Sequence, residues 1–143
     1  MTPNPREWMI GPHAFHFEPP DRLWVKFRGG LCLQDAARMV ALYQELGSSR
    51  PFYLVAEMKD ADLLEPEVGR FVSEQAVASC LLDTIYIGAR LAHKALAKGI
   101  VLAAQLTEHV AEGGLETLHF VATKEEALEL LVQLRARREA RMG

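Results

Sequence analysis

Apolar and polar positions follow two different periods along the chain, and each change of period marks a predicted element. In residues 13–17 and 23–28, aromatic and branched residues alternate with others or run together, and two prolines and an aspartate lie between the two segments. This pattern predicts two strands joined as an antiparallel hairpin. His13 and His16 would lie on opposite faces of the first strand because side chains alternate along a strand. The pair is therefore not predicted to bind a metal ion.

Beyond the hairpin, segments whose apolar residues recur at helical spacing alternate with short, continuous apolar segments. Gly47 ends the first helical run, as glycine often does, and Pro66 is placed for the first turn of the second. Two adjacent glycines, Gly113 and Gly114, interrupt the pattern and indicate a loop. The elements predicted in this way are helices at 33–47, 66–79 and 91–103, strands at 53–57, 84–88 and 118–122, and a loop at 107–116.

The last helix has the clearest start signal. Thr123 and Glu126 form a capping box, in which each side chain accepts a hydrogen bond from the other residue's backbone amide. Its last turns contain four arginines, from Arg135 to Arg141. Cations favour the C-terminal end of a helix, so we interpret these arginines as a solvated helix end, with a site for an acidic partner or a membrane surface as the alternative. The apolar residues predicted on one face of this helix are Ala127, Leu128, Leu131 and Leu134.

Together these elements predict an α/β fold in a single domain, with a mixed, mostly parallel sheet of about five strands, an N-terminal antiparallel hairpin and about four helices. Residues 1–12 hold three prolines and show no period, so they are predicted as an arm that docks through Trp8, ahead of a domain at 13–143. The strands at 53–57 and 84–88 should run parallel. The residues expected to be mostly buried are Leu54, Val55, Phe71, Ile85, Ile87, Phe120, Leu128 and Leu131.

The composition indicates one globular domain without an extended basic surface. The chain has 143 residues, 50% of them hydrophobic and 24% charged, and its net charge is −3. One core is expected at this length, and nucleic-acid binding is not.

Charged residues interrupt the apolar stretch 85–106, and no basic segment with a following apolar run begins the chain. We therefore expect no membrane span and no signal peptide, and a cytoplasmic protein. Cys32 and Cys80 lack the spacing of a metal or redox pair and are interpreted as free thiols, buried or half-buried.

The order of the elements resembles that of the STAS family, the domain of sulfate transporters and bacterial anti-sigma-factor antagonists. The resemblance covers roughly residues 15–134. In that family an acidic residue and one or two serines precede a glycine at the helix start that follows a central strand, and the serine is phosphorylated by an anti-sigma factor's kinase. Here Glu57 and Glu65 match the acidic positions, while Pro66 and Glu67 stand where the serines would be. The resemblance implies a protein partner, an anti-sigma factor or a kinase-like protein, without the usual phosphorylation of this loop.

Two functional hypotheses follow, and neither involves catalysis, a metal ion or a cofactor. The first is a non-enzymatic, STAS-like regulatory or protein-interaction module. The second is a small-molecule or lipid carrier, because ligands of parallel sheets gather at the carboxyl ends of strands. A homodimer is compatible with both. No serine, cysteine or histidine stands at the spacing of a known catalytic motif, so an enzyme is not favoured. The partner-binding residues of the first hypothesis are Asp60, Asp62, Glu65, Glu67 and Arg70, and the ligand-binding residues of the second are Arg90, His93 and Lys94.

Both sets of residues should lie at one edge of the sheet. Parallel strands share their carboxyl ends, so the turn after Glu57 and the turn after Gly88 should open on the same side. We expect the acidic residues of the first turn to come within ion-pairing range of the basic residues of the second. This edge is therefore the predicted functional region under either hypothesis.

Overall fold

The structure, a computed structural model, describes residues 6–75, 77–106 and 117–142. In this described part of the chain, six strands form one sheet, and their order in the sheet is their order along the chain. The strands are β1 (Glu7–Ile10), β2 (His13–Glu18), β3 (Arg22–Gly29), β4 (Phe52–Ala61), β5 (Leu81–Ile87) and β6 (Leu118–Val121). The helices are α1 (Leu33–Gly47), α2 (Pro66–Ser73), α3 (Leu91–Leu106) and α4 (Lys124–Met142), and a 3-10 turn spans Val77–Cys80.

The strand directions confirm the predicted mixed α/β sheet. β1, β2 and β3 pair antiparallel, while β3, β4, β5 and β6 pair parallel. The predicted hairpin and the parallel strands at 53–57 and 84–88 are both present. β1 is a sixth strand that lies inside the segment predicted as an arm, and Trp8 in it packs against the core. Gly11 makes this strand feasible, because its φ of +59° turns the chain back towards β2 and a side chain there would collide with Asp35.

The two faces of the sheet are covered unequally. On one face, which we call the three-helix face, α1 and α2 pack over a core that contains Phe15 and Phe52. α3 also lies on this face, because its Lys94 stands over the ring of Phe120, which stacks on Tyr86. The opposite face, which we call the α4 face, carries a smaller core. That smaller core consists of Tyr53, Val55, Ile85, Ile87, Ala127, Leu131 and Leu134.

Most of the residues predicted to be buried are buried, with one clear error. Leu54, Val55, Ile85, Ile87 and Leu131 are all core residues. Phe71 and Phe120 are half-buried rather than buried. Leu128 is 39% exposed, so the prediction for this residue was wrong. The side chains of α4 that face the sheet are Ala127, Leu131 and Leu134, at i, i+4 and i+7, and Leu128 lies about 100° around the helix from Ala127.

Two element boundaries also differ from the prediction. α2 ends at Ser73 rather than Ser79, and the 3-10 turn that follows brings Cys80 against α1. Gly47 allows this approach, because a Cβ there would lie 2.6 Å from that of Cys80. β4 continues past Glu57 to Ala61, since β3 reaches Gly29 and supplies backbone partners for the extra residues. The loop predicted at 107–116 lies outside the described residues.

His13 shows how the hairpin is fixed to the rest of the fold. Its ring is fully buried, accepts a hydrogen bond at Nδ1 from the amide of Arg28 (3.1 Å), and donates from Nε2 to the carbonyl of Gly30 (3.1 Å). Both ring nitrogens are therefore used within the protein. His16 lies on the other face and is half-buried, as strand alternation predicts.

No helix in the described part of the chain combines the length and apolar character that a membrane crossing requires. α4 is the longest described helix, but charged residues recur along it.

Candidate functional site

The loops that follow β3, β4 and β5 lie side by side at one edge of the sheet. These strands are parallel, so their carboxyl ends point the same way and each loop leads into the start of α1, α2 or α3. We call this region the carboxyl edge, and define it by the exposed residues that carry it. They are Leu33, Asp60, Asp62, Leu63, Glu65, Glu67 and Leu91.

Hydrogen bonds connect the three loops to one another. The amide of Asp62 donates to the carbonyl of Gly29 (3.0 Å), which joins the loop after β4 to the end of β3. The guanidinium of Arg90 donates to the carbonyl of Ala61 (2.6 Å), which joins the loop after β5 to the end of β4. The loop after β3 is held in turn by the bond between His13 and Gly30. The carboxyl edge is therefore one connected surface rather than three independent loops.

All five residues predicted for partner binding are exposed. Asp60 lies near the end of β4 and Asp62 in the loop that follows. Glu65 is the N-cap of α2, although its side chain makes no capping hydrogen bond, and Glu67 lies in the first turn. Arg70 lies in the last turn of the same helix. The four carboxylates thus follow the chain from the strand end into α2.

The three residues predicted for ligand binding have partners within the protein. Arg90 bonds the carbonyl of Ala61, as described above. His93 is buried, and its Nδ1 accepts a hydrogen bond from the amide of Arg90 (3.2 Å), as an N3 side chain does in a capping box. Lys94 is half-buried, with its ammonium group 5.7 Å from the ring centre of Phe120. These contacts fix the start of α3.

The ion pairs expected between the acidic and basic loops do not form. Among the described residues, none of the salt bridges joins the carboxylates of the carboxyl edge to Arg90, His93 or Lys94. The loops do meet, but the guanidinium of Arg90 bonds a backbone carbonyl instead of a carboxylate. The side chains of Asp60 and Asp62 consequently stay exposed to solvent.

Three exposed leucines at this edge were not identified from the sequence. Leu33, Leu63 and Leu91 are 41%, 47% and 83% exposed, and they lie at the start of α1, before α2 and at the start of α3. Leu33 and Leu91 begin helical runs, so hydrophobic periodicity assigned both to helices without indicating their exposure. Loop position is the only signal in the sequence that distinguishes Leu63.

At the opposite end of the strands, charged residues are paired with one another. Asp83 is buried and accepts hydrogen bonds from His119 (2.9 Å) and from Arg138 (3.0 Å). Arg135 forms an ion pair with Asp21 in the turn before β3. We call these five residues the amino-edge cluster. Two of the C-terminal arginines interpreted as a solvated helix end therefore fasten α4 to the sheet.

Tyr53 lies beneath the two arginines of this cluster. The guanidinium carbons of Arg135 and Arg138 are both 6.0 Å from its ring centre. Burial raises the pKa of Tyr53 above its ordinary value, Arg138 opposes this increase, and Asp83 adds to it. Tyr53 is thus part of the packing that holds α4, with its ring between the cations and the core.

The cysteines and histidines of the described chain do not assemble a metal site. No group of three or more histidine, cysteine, aspartate or glutamate residues is close enough to hold an ion within the described residues. Cys80 is a buried free thiol, as predicted, whereas Cys32 is exposed. Cys32 is the N-cap of α1, and its sulfur accepts a hydrogen bond from the amide of Asp35 (3.4 Å).

Comparison with known proteins adds no family to this picture. No protein-family model matches the chain. No curated protein matches it either.

Proposed function

We propose that the protein is a non-enzymatic, STAS-like interaction module that binds a protein partner in the cytoplasm through its carboxyl edge. The observation that carries the proposal is the set of three exposed leucines, which lie among exposed carboxylates on loops that are hydrogen-bonded to one another. Exposed apolar side chains bordered by polar groups are typical of protein interfaces.

The rigidity of the edge supports the proposal energetically. Association is weakened by the entropy lost when loops become ordered. Here the bonds from Arg90 to Ala61 and from Asp62 to Gly29 hold the loops in place before any partner binds. The loops that carry Leu63 and Leu91 therefore need little further ordering when a partner binds.

The charge of the edge indicates the kind of partner. Asp60, Asp62, Glu65 and Glu67 are exposed, so a partner with basic residues around an apolar pocket would be complementary. The STAS resemblance suggests an anti-sigma factor or a kinase-like protein for this role. Ligand carriage is less well supported, because Arg90, His93 and Lys94 all have partners within the protein.

We expect the interaction to be independent of phosphorylation in this loop. Pro66 and Glu67 occupy the start of α2, where a STAS domain would carry its serines, and neither has a hydroxyl group. A glutamate has one negative charge and two oxygens, so it imitates a phosphoserine only in part. Incubation with a serine kinase of the anti-sigma type should leave residues 60–70 unmodified by mass spectrometry. Phosphate on Ser73 would instead show that the acceptor position had moved.

The proposal is tested by capturing the partner and then measuring its affinity for surface variants. The immobilised protein would be used to recover partners from an extract of its native cell, and the recovered protein would be purified. Titration calorimetry would compare the wild type with Leu63→Asp and Leu91→Asp. Because both leucines are exposed, these variants should fold normally. Each should weaken binding at least about tenfold, corresponding to about 1.4 kcal/mol.

Val132→Asp serves as the matched control, because Val132 is 68% exposed and lies on α4, away from the carboxyl edge. It should bind the partner with wild-type affinity. If all three variants bind equally well, the carboxyl edge is not the binding surface. A recovered small molecule or lipid, displaced by substitution at Arg90 or Lys94, would support the carrier hypothesis in place of this one.

A further inference from the structure

His93 is a buried histidine at the start of α3, beside the carboxyl edge. The residue is 5% exposed and lies in the first turn of the helix, shortly after Arg90. Arg90 in turn connects the loops after β4 and β5, because its guanidinium donates to the carbonyl of Ala61. The proposed function depends on this connection, but it assigns no role to the histidine beside it.

Two N–H groups of Arg90 lie next to the two ring nitrogens of His93. The backbone amide nitrogen of Arg90 is 3.2 Å from Nδ1, and its guanidinium nitrogen Nη2 is 3.3 Å from Nε2. A neutral imidazole has one acceptor nitrogen, and its other nitrogen carries a hydrogen. The neutral ring can therefore accept one of these two bonds, and the bond from the amide is the one that caps α3.

Protonation of His93 is incompatible with these contacts. A protonated ring can accept neither bond, because both of its nitrogens then carry hydrogen. The ring would also place a buried positive charge beside the guanidinium of Arg90. Burying a charge without an opposite partner is costly, and a neighbouring like charge increases the cost. The folded edge therefore favours the neutral ring, and the ring takes up a proton when its contact with Arg90 opens.

No carboxylate pairs with His93 in the described part of the chain. The charged residues on the neighbouring segments are Asp60 and Asp62 at the end of β4, Glu65, Glu67 and Arg70 at α2, and Arg90 and Lys94 at the start of α3. None of the ion pairs found among the described residues includes His93. The four carboxylates are exposed, so water and salt weaken their attraction for a proton on the ring.

We propose that acidification loosens the carboxyl edge by protonating His93, and that it thereby weakens the binding of the protein partner. This inference rests on the proposed function and adds regulation to the same surface. When the protonated ring leaves Arg90, the guanidinium is no longer held beside the carbonyl of Ala61. The loops that carry Leu63 and Leu91 then become less ordered, and ordering them again weakens association. Histidine is the side chain that ordinarily changes its charge between about pH 5 and 8.

The first experiment needs no partner and measures hydrogen-exchange protection of the free chain at about pH 7.5 and about pH 5.5, corrected for the effect of pH on chemical exchange. A solvated histidine has a pKa of about 6.5, so at about pH 5.5 protonation favours the open edge by about tenfold. Protection in residues 61–65 and 88–94 should fall by about this factor. Residues 53–56, in the central strand β4, should keep their protection. Nitrogen-15 NMR of the His93 ring should show protonation over the same pH range.

Two variants assign the loosening to one histidine. His93→Gln keeps a side-chain oxygen that can accept the amide hydrogen of Arg90, as glutamine does in a capping box, and it does not titrate. Its protection in residues 61–65 and 88–94 should be equal at both pH values. His16→Gln is the matched control, because His16 is half-buried on the other face of the sheet, and it should loosen as the wild type does. Loosening caused by His13 would be seen at residues 28–30 and would persist in His93→Gln.

The second experiment measures affinity for the captured partner at the same two pH values. Wild-type affinity should fall about tenfold on acidification, and that of His93→Gln by less than about twofold. Unchanged protection in the wild type, an equal loss in His93→Gln, or a ring that stays neutral while protection falls would overturn the inference and leave the proposed function standing. A wild type that loosens but binds equally well at both pH values would also overturn it. A partner that binds Leu63→Asp and Leu91→Asp as tightly as the wild type would instead overturn the proposed function.

Discussion

The two edges of the sheet differ in how their charged residues are paired. At the amino edge, the carboxylate of Asp83 is buried and bonds both His119 and Arg138. At the carboxyl edge, Asp62 and Glu67 are exposed, and their side chains join none of the ion pairs found in the described chain. The same residue types are thus used for fastening at one edge and presented to solvent at the other.

This difference separates the charged residues that stabilise the fold from those that are available for the proposed binding. Removing one partner of a buried ion pair leaves a charge without compensation, whereas exposed charges contribute little to folding. The amino-edge cluster should therefore tolerate substitution poorly. The carboxyl edge can change with little effect on the fold, and this freedom suits a surface whose residues are selected by a partner.

The largest expected loss of stability follows removal of the buried carboxylate at the amino edge. Removal of an exposed carboxylate at the carboxyl edge is the matched comparison. Asp83→Ala should lower the free energy of unfolding by roughly 3 kcal/mol, because Arg138 and His119 lose the carboxylate that pairs them. Asp62→Ala should change it by less than about 0.5 kcal/mol, as is usual for an exposed residue. Urea denaturation of both variants measures the difference. Equal losses would remove the distinction between the two edges.

Alkaline pH should lower the stability of the fold, in part through Tyr53 at the amino edge. Burial raises the pKa of Tyr53, so the unfolded chain loses this proton first and stability falls as the pH rises above about 10. Burial also raises the pKa of Tyr86 to about 12 and acts in the same direction. Each such tyrosine contributes a slope of at most about 1.4 kcal/mol per pH unit. In Tyr53→Phe, stability measured between pH 9 and 11 should fall less steeply than in the wild type; identical slopes would contradict the assignment.

A smaller loss of stability is expected when a hydrogen bond that connects two loops of the carboxyl edge is removed. Arg90→Gln removes the bond to the carbonyl of Ala61, and should cost about 1 kcal/mol, the usual net value of one hydrogen bond. Hydrogen exchange of residues 61–65 should accelerate at the same time, because the loop loses its connection to α3. Unchanged exchange in that segment would show that the loops are not coupled.

The smallest effect on stability is expected for Glu67→Lys. Glu67 is exposed in the first turn of α2, so reversing its charge should change the free energy of unfolding by no more than about 1 kcal/mol, through the helix dipole. Affinity for the captured partner should nevertheless fall, because a basic surface would then meet a cation. A thermal melt and a binding titration on the same sample separate the two quantities. A large loss of stability without a loss of affinity would contradict this prediction.

Much of the fold follows from local patterns in the sequence. The hairpin, the parallel strands and the start of α4 were each predicted from periodicity or capping, and the hydrogen bonds between Thr123 and Glu126 confirm the capping box. These features depend on neighbouring residues, which a sequence displays directly. β1 was missed because it is short and contains Glu7 and Trp8 without a regular pattern, and it becomes a strand by pairing with β2.

The site was only partly predictable because it depends on long-range contacts. Parallel topology placed the acidic loop beside Arg90, but no local pattern indicated that the guanidinium would bond the carbonyl of Ala61. The pairing of Asp83 with Arg138 joins residues 55 positions apart, so the arginines resembled an ordinary helix end. The exposure of Leu128 depends on which side of α4 meets the sheet. Residue spacing alone does not distinguish the orientation that buries Leu128 from the one that exposes it.

If a protein partner covers the carboxyl edge, hydrogen–deuterium exchange of the chain with and without the captured partner will show which segments that partner protects. We expect binding to slow exchange in residues 60–70 and 88–94, while the segments of the amino-edge cluster exchange as in the free protein. Protection confined to the amino edge, with exchange in residues 60–70 unchanged, would show that the partner binds elsewhere.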